Sequence, residues 1–364
     1  MRDKEIKNRA YFFIGGREVK ISATGKNLVS QYRFPTSAFG PAADYTGIPV
    51  NEPGAEKLYT IQLPVPVVNF GVTVVGQSAN SEIDPWVLGS KDENDVQGYA
   101  GLPVNVNGFL FDYQADSETA GAVFPLTKRY YIAVDSGSDR FTNQSLPGQY
   151  VLKAWVNDLT PPAVRLVTTE LSAGRPTIVA RATDAQSGVD PFSLVLQYNG
   201  NVLLGASAYD PVSGLVLFGM PSNAPKLTAA AKKKTIIVNA SDNQESKNVN
   251  TIGQNVLPNT TDRTTKVRVV DKPTVTWLVP SSGSCLNTTT RLVVVAGSTK
   301  KLENVVFDAD TKKLASKKAD ATTGLAFVDW KAKQAGKGKH VLRATVRDAS
   351  GRTATAIRRV RVCK

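Results

Sequence analysis

The sequence predicts an all-β protein of tandem antiparallel β-sandwiches, a jelly-roll-like first domain followed by two immunoglobulin-like ones, and three features carry that reading. Apolar runs are short and bounded by Gly, Pro, Asn, Asp or Ser, the pattern of strands and turns. Several runs alternate: in HVLRATVRD, Val341, Arg343, Thr345 and Arg347 fall on one face and His340, Leu342, Ala344 and Val346 on the other, as a sheet with one wet and one buried face requires. The only helix-leaning stretch, LTAAAKKK at 227–234, is too short to be stable alone and reads as a bridge between strands.

At 364 residues the chain exceeds what a single core supports. Two junctions divide it. In VNDLTPPAV, Pro161 and Pro162 cannot continue a ladder, and in VVDKPTVTWLVP, Pro273 opens a new strand run. The resulting domains are 1–160, 161–271 and 272–364, the last two of immunoglobulin-domain size. A weak repeat runs through them: a β-branched strand followed by an acidic turn, with Asp158, Asp242 and Asp348 in corresponding places. Asp348 with Gly351 three residues on suits a type I turn, so hairpin chemistry explains the repeat without a metal.

The net charge of +13 sits in the last segment: residues 272–364 carry 19 Lys and Arg against 6 Asp and Glu, while the first 271 residues are balanced. Such asymmetry bears on partners and association, not on fold. The candidate contacts for an anionic cell-wall polymer, glycan or protein surface are Lys312, Lys313, Lys317 and Lys318 in TKKLASKKAD, with Lys331, Lys333, Lys337 and Lys339 in KAKQAGKGK. The plain alternative is a solvated basic face. Nucleic acid fits poorly: Trp277, Phe307, Phe327 and Trp330 are few, and most lie in strand runs that want a core.

Cys285 and Cys363 bracket the same basic segment, so they read as a disulfide staple and point to an oxidising, extracellular setting. Closing that loop contributes about 4 kcal/mol in chain-entropy terms. No apolar run is long enough to span a membrane. The opening MRDKEIKNRAYFFIGG lacks the apolar core of a signal peptide. Its abrupt, strand-like start leads to the expectation of a truncated frame or excised fragment, with any export signal upstream.

Catalytic and metal chemistry finds little support. Asp135-Ser136-Gly137 mimics a subtilisin-type Asp motif, but it follows the strand run RYYIAV and reads as a turn. A Ser-His-Asp triad needs a His base, and the one histidine, His340, begins a regular strand in another segment. Zinc would need three or four ligands of a kind this chain scarcely has. The Ala23–Asn27 stretch, ATGKN, lacks the spacing of a phosphate loop. No cofactor is expected, and calcium is the least unreasonable metal, with oxygen donors on turns at Asp92, Glu93 and Asp95 and at Asp184 and Asp190. LPNTT at 257–261 resembles a sortase signal but ends in Thr and has no hydrophobic tail behind it.

The stretches ATDAQSGVDPFSLVLQYNG (182–200), VNASDNQESKNVNTIG (238–253) and GKGKHVLRATVRDASGRTAT (336–355) resemble bacterial Ig-like domains. Together with DPWVLGS, GYAGLPVNV, RYYIAVDSGSD and LPGQYVLKAWVNDLTPP, they look like the C-terminal accessory region of actinobacterial secreted subtilisin-like peptidases, where a prepeptidase-type β-domain and Ig-like domains follow the catalytic domain. The Gly-Thr-Ser-Met-Ala nucleophile helix of that family is missing, so the resemblance implies the tail without the catalytic domain.

The expected function is therefore a non-catalytic extracellular spacer or accessory array that contacts a surface or polymer. One alternative is the C-terminal fragment of a secreted subtilisin-like endopeptidase. Another is a free-standing carbohydrate-binding protein with Trp86, Trp155, Tyr130 and Tyr131 as candidate platform, although their strand contexts favour the core. Intact mass with and without reductant and alkylation is expected to show no alkylation of the unreduced native chain and two labelled cysteines after reduction; two freely labelled thiols in native protein would refute the staple.

Overall fold

The computed structural model describes residues 18–20, 30–34, 57–63, 69–75, 83–90, 96–99, 118–123, 127–136, 150–158, 160–210, 213–242 and 260–363, with positions 67, 81, 125, 146 and 148. Among these residues the regular structure is strand, apart from two single turns of 3-10 helix, and it forms tandem β-sandwiches.

The first sandwich uses β1 (Glu18–Lys20), β2 (Ser30–Phe34), β3 (Lys57–Gln62), β4 (Asn69–Val75), β5 (Ile83–Leu88), β6 (Val96–Tyr99), β7 (Glu118–Val123), β8 (Arg129–Ser136) and β9 (Tyr150–Val156). They pair as β1-β3-β8-β5-β6 and β2-β9-β4-β7, and Tyr59, Ile61, Phe70, Val72, Ile132 and Leu152 fill the space between. Trp155 is fully buried and lies on Gly71 and Gly121; a Cβ on Gly71 would overlap its indole, which is why a residue without a side chain stands there.

The second sandwich follows with β10 (Ala163–Leu166), β11 (Glu170–Ser172), β12 (Ile178–Thr183), β13 (Val195–Tyr198), β14 (Val202–Gly205), β15 (Ala208–Asp210), β16 (Leu215–Phe218), β17 (Lys234–Ser241) and β18 (Thr260–Val270). The third has β19 (Thr274–Val279), β20 (Cys285–Leu286), β21 (Thr289–Gly297), β22 (Leu302–Ala309), β23 (Lys312–Lys317), β24 (Leu325–Lys331), β25 (Gly338–Asp348) and β26 (Thr353–Val362). These two share a topology: β10-β12-β16-β15 corresponds to β19-β21-β24, and β11-β18-β17-β13-β14 to β20-β26-β25-β22-β23. In each, the chain leaves the first sheet after one strand and docks a short second strand parallel to the closing strand, Glu170 beside Arg268 and Cys285 beside Arg361. These pairs and β1·β3 depart from a purely antiparallel expectation. The disulfide Cys285–Cys363 pins the parallel edge of the third sandwich, with a Cα–Cα distance of 5.6 Å across a separation of 78 residues.

LTAAAKKK forms no helical turn. Leu227 is 1% exposed and bridges to Gly174, so the stretch is an irregular connection into β17, anchored by one core side chain.

The second and third sandwiches share an apolar seam. Leu215 and Leu217 of β16 alternate with Val216 and Phe218, which fill their own core; outward, with Val179 of β12, they meet Leu278 of β19 and Val293 and Val295 of β21. Two sheets are thereby buried on both faces, and LVLF and LVVVA read as unbroken apolar runs for that reason. Backbones approach closely beside the seam: a Cβ on Gly297 would lie 2.6 Å from Ser172 Oγ and 3.4 Å from the Pro176 ring. Arg352 ties the linker by donating to the Asp271 carbonyl at 3.0 Å.

The junction of the first two sandwiches is polar. Ser187 N donates to Asp158 Oδ2 at 2.9 Å, and Thr73 Oγ1 donates to Ser187 O at 3.1 Å. The three repeat carboxylates Asp158, Asp242 and Asp348 are all fully buried. Asp348 caps the β25–β26 hairpin, accepting from Ser350 N at 3.0 Å, Arg352 N at 3.1 Å and Ser298 Oγ at 2.8 Å.

Leu217→Lys places an unpaired ammonium in the seam. Calorimetry of the full chain is expected to resolve separate transitions for the second and third sandwiches, where the wild type melts them together. A variant that keeps the wild-type profile would show that the seam does not couple them.

Candidate functional site

Most of the basic residues of the third sandwich fall in three places. The first is the outer face of its five-stranded sheet. Alternation turns Lys339, Val341, Arg343 and Arg347 of β25 outward, with Ile357, Arg359 and Arg361 of β26. Register sets Lys339 opposite Arg361, Val341 opposite Arg359 and Arg343 opposite Ile357. Like charges directly opposite one another destabilise a sheet, so this pairing costs stability locally. Among the described residues no carboxylate pairs with Lys339, Arg359 or Arg361, while Arg347 meets Glu303 at 3.3 Å. Lys313 on edge strand β23 adds a further cation beside Asp308. Ile357 is 52% exposed amid this charge.

The second place is a groove of about 1010 Å³ where the second and third sandwiches meet. It takes Lys317 and Lys318 from the predicted set and adds Lys300, Lys301 and, from the second sandwich, Arg175. The third is a hollow of about 430 Å³ at the sheet ends, where Lys312 and Lys331 face Asp310 and Asp329. Lys333 lies in the 3-10 turn Ala332–Ala335 and Lys337 in the connection to β25; both are exposed. The eight lysines are thus dispersed, and the arginines that share a sheet face with Lys339 form the denser cluster. Its signal was present in the alternation of RATVR and RRVRV, but only pairing of β25 with β26 brings the two rows together.

Of the calcium candidates, Asp92, Glu93 and Asp95 lie outside the described residues. Asp184 accepts from Gln186 N at 2.7 Å and Gly188 N at 3.0 Å. Burial and the charge of Asp158 push its carboxyl above the usual range. Asp190 is buried at the start of the other 3-10 turn, its carbonyl accepting from Ser193 Oγ at 2.7 Å. Among the described residues no group of three or more His, Cys, Asp or Glu could hold a metal ion, and no helix is long and apolar enough to cross a membrane.

Asp135 and Ser136 do not form a turn: β8 runs through both, paired with Asp84 and Ile83 of β5. Trp155 and Tyr130 are core residues, 0% and 2% exposed, which removes them from any sugar platform. Trp86 and Tyr131 remain half-buried, clustered with Leu88 and Ala133. Of the third-segment aromatics, Trp277, Phe307 and Trp330 are buried, whereas Phe327 is 52% exposed with the Arg291 guanidinium 5.0 Å above its ring.

His340 points inward from β25, packed edge-on against Trp330. Its Nδ1 is 2.8 Å from Asp310 Oδ2 and its Nε2 is 2.9 Å from Gly336 O. Both nitrogens face acceptors, and only the imidazolium can donate to both. The hydrogen bond that His340 donates to Asp310 holds the histidine pKa above its ordinary 6.5 against the opposing pull of burial. Asp310 is held below 3.8, chiefly by the Val341 N–H and then by His340.

Fold and site together define a tandem β-sandwich protein, disulfide-stapled and cationic at its C-terminal end. No protein-family model matches the chain, and no curated protein matches its sequence. Overlaps with solved structures are loose. The dimeric latent PorU of Porphyromonas gingivalis aligns at 14% identity with a TM-score of 0.33, over 96% of this chain and 32% of that one. A biofilm-associated protein BSP domain aligns at 8% and 0.32, over 98% and 70%. The fibronectin(III)-like modules of Clostridium thermocellum CbhA align at 18% and 0.22, over 55% and 94%. The chain spans about a third of the length of the PorU structure.

The His340–Asp310 pair sets a pH dependence. With the histidine raised, its contribution is full below its ordinary value and is lost as pH rises through the folded one; with Asp310 lowered, its contribution is lost only as pH falls through the lowered value. The difference in melting temperature between wild type and His340→Gln is therefore expected to be largest near about pH 5.5 and to narrow as pH rises towards about 9. A constant difference across that range would refute the assignment.

Proposed function

We propose that this chain is an extracellular, non-catalytic accessory array whose third sandwich attaches it to an anionic polymer or surface. The observation that carries the reading is the outer face of β25 and β26, where Lys339, Arg343, Arg359 and Arg361 lie together. Setting Lys339 directly opposite Arg361 lowers stability without helping the fold, and such local conflicts are expected where a surface serves binding. The disulfide supports an oxidising, secreted setting. The balanced charge of the first 271 residues fits a spacer, and the resemblance to the tails of secreted subtilisin-like peptidases fits an array that positions a neighbouring catalytic domain.

Binding by phosphate or carboxylate neutralisation falls steeply with salt. The full chain is expected to be retained on anionic cell-wall material at about 50 mM salt and released by about 300 mM. Arg359→Glu with Arg361→Glu is expected to weaken retention at least tenfold. Equal retention of variant and wild type at each salt concentration would overturn the proposal.

A further inference from the structure

We infer that the groove between the second and third sandwiches is a composite binding site for a phosphodiester-linked chain polymer, entered separately from the sheet face. The inference deepens the polyanion reading above and rests on it.

The groove's electrostatics are one-sided. Its basic residues are Arg175, Lys300, Lys301, Lys317 and Lys318; its acidic ones are Glu303 and Asp320. Of the two acids, only Glu303 has a cationic partner, and Asp320 is a single anion held by hydrogen bonds against five cations. Glu303 faces Arg347 at 3.3 Å, and Asp320 accepts from Thr323 N at 2.7 Å and Thr323 Oγ1 at 2.8 Å, bonds that hold its carboxyl below the usual range. Among the described residues no ion pair involves any of the four lysines. The groove therefore offers several uncompensated ammonium groups, and clefts of one sign concentrate counter-ions.

Its construction is preorganised. Arg175, Pro176 and Thr177 form one wall, and β21, β22 and their connection, with the end of β23 and the β23–β24 connection, form the other. The seam of Leu215, Leu217, Val293 and Val295 and the close approach at Gly297 fix the distance between the walls. Arg175 is itself positioned, its Nε donating to Ala224 O at 2.6 Å. A preformed site spends less of its binding energy on ordering.

The lining selects the ligand class. Among the described residues it contains no aromatic or histidine side chain, so none of them offers the stacking surface that nucleobases use. Four of its five cations are lysines, point charges with rotatable donors, which suit phosphate approached from several directions better than a planar carboxylate held by a fork. About 1010 Å³ is far more than a single phosphate fills and matches a few repeats of a linear chain. A polyol phosphate chain meets all three conditions.

The test is titration of the full chain with a short poly(glycerol phosphate) oligomer at about 50 mM salt, beside a hyaluronate oligomer and single-stranded DNA of matched charge. Lys317→Gln with Lys318→Gln, and separately Arg175→Gln from the other wall, are expected to weaken oligomer binding at least tenfold and threefold respectively. Arg359→Glu with Arg361→Glu is expected to change it less than threefold. All substituted residues are exposed, and unchanged melting temperatures verify the fold; Lys300→Gln with Lys301→Gln is the substitute should one variant melt early. Groove variants that bind the oligomer as wild type does, while the sheet-face variant loses wall retention, would overturn the groove and leave the proposed function standing. Equal or tighter binding of hyaluronate or DNA would overturn the phosphodiester assignment. A wild type that binds neither oligomer nor wall material would overturn both.

Discussion

The apolar seam between the second and third sandwiches constrains most of what this molecule presents. Sheets in a chain of independent domains face water on one side, yet here β12 and β16 turn Val179, Leu215 and Leu217 outward onto Leu278, Val293 and Val295. Burying a side chain of this size is worth about 1.5–3 kcal/mol, and six of them in one cluster outweigh what polar linker contacts supply. The two sandwiches become one body, and the groove with Arg175 on one wall and Lys300 and Lys317 on the other exists only because of that docking.

The two junctions differ in kind. Between the first and second sandwiches, contact is made by hydrogen bonds around Ser187, with buried Asp158 accepting from one side and Thr73 donating from the other. Hydrogen bonds contribute about 1 kcal/mol each net, but leaving a buried carboxylate unsatisfied costs more than that, so Asp158 fixes local geometry more than it adds stability. Asp348 does the same within the third sandwich, with hydroxyl, amide and guanidinium donors converging on one carboxylate. Asp158 and Asp348 are thus structural cement, and all three carboxylates of the acidic repeat are buried away from the surface that carries the cations.

That separation of sign shapes the binding surfaces. Acids of the third sandwich are mostly capped or paired, Asp310 by His340, Asp329 by Arg291 and Glu303 by Arg347. Lys339, Arg359 and Arg361 on the sheet face and four lysines at the groove have no such partners among the described residues. Charge that the fold does not consume is available to a ligand, and its effective strength falls with ionic strength over a Debye length of about 8 Å at physiological salt.

The sequence by itself determined the strands, the sandwich class, the disulfide and the location of the charge, because each follows from local rules: alternation, turn residues, paired cysteines and a count of Lys and Arg. The alternation of RATVR and RRVRV also sets Arg343 and Arg347 on one strand face and Arg359 and Arg361 on another. Only the tertiary structure decided that those two rows are neighbours, that Lys317 shares a groove with Arg175, and that Trp155 lies inside against Gly71. The physical reason is range. Alternation reports which way a side chain points relative to its own backbone, whereas register between β25 and β26 and docking of one sandwich on another depend on complementary surfaces distant in sequence. The unbroken runs LVLF and LVVVA carried a trace of that docking, since a strand buried on both faces loses its alternation, but which surface would cover them was decided in three dimensions.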